Sequence, residues 1–183
     1  MADWAYLKLP SREAMLALIN DTNGFTGEDR LTFDQVTFQP PVAVDSDDPD
    51  INTKVVVESV EGVKYVGPVE IDAFRLDAGV LFGSQLVRLD VQGAVSTADL
   101  LPRLNEKYGL ALDAQDIVDQ PIDHEIVEEN GSPHTITFAP DCFHFIGKFP
   151  VYVGPETAVN PILWEAGNVF RWQDGSIMVQ ETA

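Results

Sequence analysis

The sequence predicts an α+β fold, in which two tandem, divergent helix-plus-β-hairpin units form a β-rich body with short covering helices. Three observations predict it: residue types that recur at a constant spacing, an amphipathic helix at the start of each copy, and alternating apolar residues near its end. The predicted boundaries are residues 1–95 for the first unit with its connecting strands, residues 96–154 for the second unit, and residues 155–183 for a C-terminal β extension.

The constant spacing is the strongest sign of duplication. Leucine, glutamine and proline recur 81 positions apart, as Leu31, Gln39 and Pro40 in the first copy and Leu112, Gln120 and Pro121 in the second. Two glycines further along the copies are 80 positions apart, Gly67 and Gly147. Matches that keep their spacing while the residues between them diverge indicate an internal repeat.

Each copy begins with a short amphipathic helix, near residues 11–20 and near residues 97–108. A residue able to cap the helix stands at each start: Ser11 for the first, and Thr97 or Ser96 for the second. A glycine able to end the helix in the left-handed conformation follows each one: Gly24 and Gly109.

Each copy ends with two alternating apolar runs that predict a β-hairpin: residues 53–60 with 66–74, and residues 134–139 with 143–153. The connecting residues 75–95 are apolar enough to predict strands that continue the sheet. Asp-Gly at positions 174 and 175 predicts a further hairpin in the C-terminal extension. The residues predicted to be buried are Leu16 or Leu18, Ile19, Val56, Ile71, Leu101, Leu104, Ile136 and Val151.

Charge and composition limit the classes of partner. Eleven Lys and Arg stand against 30 Asp and Glu, so the formal net charge is -19, and the sequence predicts no nucleic-acid partner because phosphate binding needs a basic face. No apolar run approaches the ~20 residues of a membrane helix, so no membrane partner is predicted. The single Cys142 excludes an intrachain disulfide and fits assembly in a reducing cytoplasm.

The candidate metal ligands are few: Cys142, His124, His134 and His144. Structural zinc sites take four ligands and catalytic ones three with a water, and paired-cysteine spacing is missing here. We expect a buried thiol beside partly exposed imidazoles, with a metal site as the alternative. The acidic residues 45–50 are predicted to form a solvated loop, with a weak calcium site as the alternative.

No nucleophile, phosphate-loop or dinucleotide motif is present in the sequence. We therefore predict that the protein is not an enzyme and that it has no catalytic, cofactor-binding or metal-binding residues.

Several runs resemble the repeated core of virion structural proteins of large ("jumbo") tailed bacteriophages. The runs that carry the resemblance are residues 52–57, 63–69, 74–77, 98–105, 108–110 and 116–117. The resemblance extends over most of residues 11–153, but the second hairpin departs from the family pattern where Asp141, Cys142, Phe143 and His144 replace small residues.

This resemblance implies a non-catalytic structural component of the tail, baseplate or neck of a phage particle, made and assembled in the cytoplasm of the bacterial host. The implied partners are other virion proteins, in homo-oligomers and hetero-assemblies. Two alternatives stay open: a receptor- or carbohydrate-binding tail-tip module, and an enzyme that hydrolyses cell-wall glycan through an Asp/Glu pair.

Overall fold

The computed structural model describes residues 4–61, 68–126, 128 and 130–154. Its α-helices are α1 (Ser11–Asn23), α2 (Ala78–Phe82) and α3 (Thr97–Tyr108), with short 3-10 helices at Trp4–Lys8 and Gly27–Asp29. Its strands are β1 (Val36–Phe38), β2 (Val42–Ala43), β3 (Thr53–Ser59), β4 (Val69–Ala73), β5 (Leu76–Asp77), β6 (Arg88–Leu89), β7 (Ser132–Thr137), β8 (Phe145–Ile146) and β9 (Lys148–Val153). The fold is mixed α+β, with short helices against a β-rich body.

The first unit packs α1 against a four-stranded antiparallel sheet. Strand β3 is central: β1 and β2 pair along one side of it, and β4 pairs along the other. Its alternating buried residues, Thr53, Val55 and Val57, face a core that includes Met15 and Ile19 of α1. Burial of this apolar face stabilises a helix that would be marginal in isolation.

The second unit repeats this arrangement with α3 and the antiparallel pair β7–β9. Its core includes Leu100 and Leu104 of α3, Ile136 of β7, and Phe149 and Val151 of β9, all at most 1% exposed.

The helix ends of the two units are equivalent in detail. Each helix ends at a left-handed glycine, with φ of 68° at Gly24 and 65° at Gly109. Before each glycine, an asparagine side chain forms hydrogen bonds with both the backbone amide and the carbonyl of a leucine further along the chain. In α1, Asn20 accepts from the Leu31 amide (2.7 Å) and donates to its carbonyl (3.0 Å). Asn105 makes the same two bonds with Leu112, at 3.0 and 2.8 Å.

The hairpin registers also match. In the first unit Thr53 lies opposite Ala73 and Val36 lies opposite Ser59. Each of these four positions has a counterpart 79 to 81 residues later, and the counterparts pair in the same way: Ser132 opposite Val153, and Ile117 opposite Phe138. The repeat inferred from three residue types is therefore present in the backbone pairing.

The segment between the units differs from its prediction. Residues 75–95 were expected to be strand, but only β5 and β6 are strands, and α2 lies between them. The Asp77 side chain caps α2 by accepting from the amides of Gly79 and Val80. These elements pair with the second unit, because β5 runs parallel to β8 and β6 runs parallel to β9.

Most of the predicted core residues are buried, with two exceptions, Val56 and Ile71; of the alternatives Leu16 and Leu18, Leu16 is the buried one. Leu18 is 41% exposed. Val56 is only partly buried because its neighbours Val55 and Val57 face the core. Ile71 is partly buried because it lies on the open strand β4.

The predicted C-terminal β extension, including the turn at Asp174 and Gly175, lies outside the described residues. Among the helices that are described, none is long and apolar enough to cross a membrane.

Candidate functional site

An apolar groove of about 500 Å³ opens between α1 and the β3–β4 hairpin. Among the described residues its lining is mostly aliphatic, and Phe25 is the one aromatic residue. The lining residues are Met15, Leu18, Ile19, Thr22, Asn23, Phe25, Leu31, Val36, Val57, Glu58, Ser59, Val69, Ile71, Asp72 and Ala73. Five of these fifteen residues are polar or charged, and the aliphatic majority can bind an apolar side chain or strand.

The groove is open because β4 is exposed. Val69 of β4 is 54% exposed, whereas its counterpart in the second unit, Phe149, is 1% exposed. The difference arises because α2 and β6 cover β9, and the described residues place no strand on the outer side of β4. Clustered exposed apolar residues on an otherwise acidic surface are typical of an interaction site.

A buried arginine joins the two units. Arg75 is 5% exposed, and it follows β4 at the point where the chain crosses to the second unit. Its guanidinium donates to the Thr53 hydroxyl (3.0 Å) and to the carbonyls of Pro140 (3.1 Å) and Cys142 (3.2 Å). Asn52 fixes the Arg75 backbone through two further bonds, of 2.7 and 2.8 Å. Burial lowers the pKa of Arg75, and these oxygens replace the water that the cation loses.

Other contacts between the units come from the start of α1 and from β1. Ser11, predicted to cap α1, instead donates a short hydrogen bond to Asp116 of the second unit. The ring of Phe143 from the second unit packs edge-on against Phe38 in the core of the first, with centroids 5.6 Å apart. The interface between the two units therefore combines hydrogen bonds with aromatic packing.

The histidines that were candidate metal ligands each have a separate partner. His144 is buried, contrary to the partial exposure expected for the imidazoles, and its Nε2–H donates to the Leu9 carbonyl at 2.9 Å. His134 Nε2 lies 2.8 Å from the Thr97 hydroxyl, and His124 Nε2 donates to the Ala94 carbonyl at 2.7 Å. Burial lowers the pKa of both His134 and His144, which favours the neutral imidazole.

The cysteine sits apart from these rings in a closed environment. Cys142 is fully buried, and its sulfur accepts from the Phe145 amide at 3.4 Å. Burial raises the pKa of the Cys142 thiol to about 12, so the thiolate that nucleophilic and metal-binding chemistry needs is disfavoured. Within the described residues, no three His, Cys, Asp or Glu side chains gather closely enough to hold a metal ion.

The acidic residues 45–50 are exposed and use their side chains locally. The Ser46 hydroxyl accepts from the Asp48 amide at 3.1 Å, and the Asp48 carboxylate accepts from the Asp50 amide at 3.0 Å. These bonds stabilise turns, as Asx and Ser side chains commonly do in loops.

Sequence reasoning missed the groove and the Arg75 junction. The α1 side of the groove could have been predicted, because Leu18 and Ile19 make the apolar face of the helix wider than packing against one sheet requires. Nothing in the sequence marked Arg75 as buried, since arginine is usually exposed.

In a comparison with protein families, the model of a family described as a family of unknown function, DUF7941, matches residues 4–159. No curated protein matches the chain. No solved structure matches it either.

Proposed function

The chain belongs to DUF7941, a family of unknown function, and we propose that it is a non-catalytic structural component of a tailed-phage virion, acting through protein–protein contacts. The proposed location is the tail, baseplate or neck of the particle, after assembly in the cytoplasm of the bacterial host. The resemblance of the repeated runs to jumbo-phage virion proteins supports the virion role, and the open groove supports the contact role.

The observation that carries the proposal is the apolar groove beside the exposed strand β4. An edge strand presents unpaired backbone N–H and C=O groups, and an adjoining apolar groove gives a partner side chain a place to bury. This combination suits addition of a strand from another protein. The acidic surface, from a net charge of -19, keeps a free subunit soluble and suits docking on a basic neighbour.

The lining of the groove favours a protein partner over a carbohydrate. Sugar sites use flat aromatic faces, and Phe25 is the single aromatic residue among the described residues of this lining. Aliphatic residues such as Ile19 and Ile71 are better suited to side chains from a strand or helix.

The test is incorporation into particles. The chain should be found by quantitative mass spectrometry in density-purified particles from cells infected with the phage that encodes it, at a fixed ratio to the major capsid protein. Val69→Arg should lower that ratio, because it places a charge in the apolar groove.

Val80→Arg is the matched control, since Val80 is 79% exposed and lies outside the groove lining. Both variants should keep the wild-type circular dichroism spectrum. Absence of the wild-type chain from purified particles would refute the virion role. Equal incorporation of the two variants would refute the role of the groove.

A further inference from the structure

The segment that follows the first hairpin covers the second unit. After β4 the chain crosses over, and residues 76–94 contribute β5, α2 and β6 to the second unit. The Phe82 ring of α2 lies 4.6 Å from Phe149 and 5.1 Å from Tyr108, measured between centroids. The hairpin β7–β9 is thus completed by a segment that belongs, in chain order, to the preceding unit.

The residues that follow the second hairpin contain a divergent copy of this covering segment. Residues 77–93 align without a gap to residues 165–181, at a constant spacing of 88. Along this alignment Asp77, Ala78, Gly79, Phe82, Gln85, Val91 and Gln92 correspond to Glu165, Ala166, Gly167, Phe170, Gln173, Val179 and Gln180. Residues 165–181 lie outside the described part of the chain.

Most changes between the copies follow the burial of the covering segment, with exposed Ser84, which corresponds to Trp172, as an exception. Its buried residues Ala78, Phe82 and Leu89 correspond to apolar Ala166, Phe170 and Ile177. Its exposed residues Val80 and Leu86 correspond to polar Asn168 and Asp174. Gly175 at the place of buried Val87 is the one departure among the buried positions. The copy therefore keeps the face that packs against a hairpin.

The groove beside β4 is the counterpart of the site that α2 and β6 fill in the second unit. Phe82 packs against Tyr108 and Phe149, whose counterparts in the first unit are Asn23 and Val69. Both of these smaller residues line the groove. The open volume therefore lies where a phenylalanine from a covering segment would insert.

The contacts between the units indicate that the covering segment comes from another copy. Ser11 of the first unit forms a hydrogen bond with Asp116 of the second. The counterpart of Ser11 is Ser96, which bonds Asp119 in its own unit. The counterpart of Asp116 is Gln35, which bonds Thr32 in its own unit. The two units are thus joined head to tail, without a reciprocal two-fold contact. Repeating the same step places the segment after the second unit on the first unit of the next molecule, as in a heterologous interface.

We propose that residues 165–181 of one copy pack into the groove between α1 and β4 of a second copy, with Phe170 in the groove and residues 176–177 paired with β4 in the register that Arg88 and Leu89 have on β9. This inference rests on the proposed contact role of the groove and names its partner. The result is a ring or filament of identical subunits.

The parallel register gives a direct test. Arg88 lies opposite Tyr152, so its counterpart Ser176 should lie opposite Asp72. Two differently sized tagged chains are mixed, one carrying Asp72→Cys and the other Ser176→Cys, and oxidised. A disulfide fits the Cα separation of paired strand residues, so a one-to-one cross-linked dimer should form. Replacing Ser176→Cys with Gln173→Cys is the control, which should give little cross-link.

Three outcomes are informative. The mixed dimer supports the proposal. A disulfide that forms only within the double variant Asp72→Cys/Ser176→Cys means that the segment folds back on its own chain, and it overturns the exchange between copies. Cross-linking in neither case overturns the placement of the segment on β4.

Sedimentation of the full-length chain provides a second measurement. Wild type should associate beyond the dimer, and Phe170→Asp or Val69→Arg should each weaken association by at least about tenfold, because each buries a charge in the groove. Mixing these two variants should restore a dimer that does not extend, since one groove and one segment remain intact.

A monomeric wild type would contradict the proposal. If a monomeric wild-type chain is still found in particles, the proposed structural role stands, with unlike proteins as partners. Failure of the self-association and failure of the virion role are therefore distinguishable.

Discussion

The paired asparagines allow a quantitative comparison between the units. Asn20 and Asn105 make the same two hydrogen bonds, but Asn20 is 1% exposed and Asn105 is only partly buried. Replacing Asn20 with alanine leaves the amide and carbonyl of Leu31 without partners. Each unmet buried group costs about 1–3 kcal/mol, so the expected loss in the free energy of unfolding for the two groups is about 2–6 kcal/mol.

Asn105→Ala should cost less, about 1–2 kcal/mol, because water can reach the groups that it frees. Asn23→Ala is the control, since the Asn23 side chain is exposed and bonds only its own helix, and its effect should stay within about 0.5 kcal/mol. Urea unfolding followed by circular dichroism gives all three values if the urea dependence (m) is unchanged. An Asn20→Ala cost no greater than that of Asn105→Ala would refute the reasoning.

The remaining predictions follow from burial. Phe149→Ala should cost about 3–5 kcal/mol in urea unfolding, whereas exposed Val69→Ala should cost less than about 1 kcal/mol; equal costs would contradict the difference between the two hairpins. Cys142, with its pKa raised to about 12, should react with a thiol reagent only after denaturation, and fast labelling of the native chain would contradict its burial. His144 has a folded pKa below its usual value of about 6.5, so its contribution to stability is present above that pH and is lost on acidification. His144→Gln should therefore lose less stability between pH 7 and 5 than wild type, and an identical pH profile would exclude this role.

The sequence was sufficient to predict the elements that repeat. Both helices, both hairpins and the α+β class follow from periodicity and from the recurrence of Leu31 and Gln39 as Leu112 and Gln120. Local patterns suffice there because each element buries one face with its own period.

The errors have a common physical origin in long-range packing. Val55, Val56 and Val57 form a continuous apolar run, so alternation alone cannot say which of them faces the core. The choice is made by the register of β3 against β4 and by α1 above it. Likewise, residues 76–94 are apolar whichever unit they cover, and only the parallel pairing with β8 and β9 assigns them to the second unit.

The acidic residues beside the groove restrict what can add to β4. Glu70 and Asp72 alternate along the strand with the apolar Val69 and Ile71, and Lys54 pairs with Glu70 at 3.0 Å. Charged side chains on an edge strand disfavour unselective pairing with other edges. A strand from another copy of this acidic chain that approached β4 without an apolar side chain for the groove would bring like charge against these carboxylates and gain little burial in return. Filling of the groove must therefore contribute most of the binding energy, and the residue that enters it decides which partner is accepted.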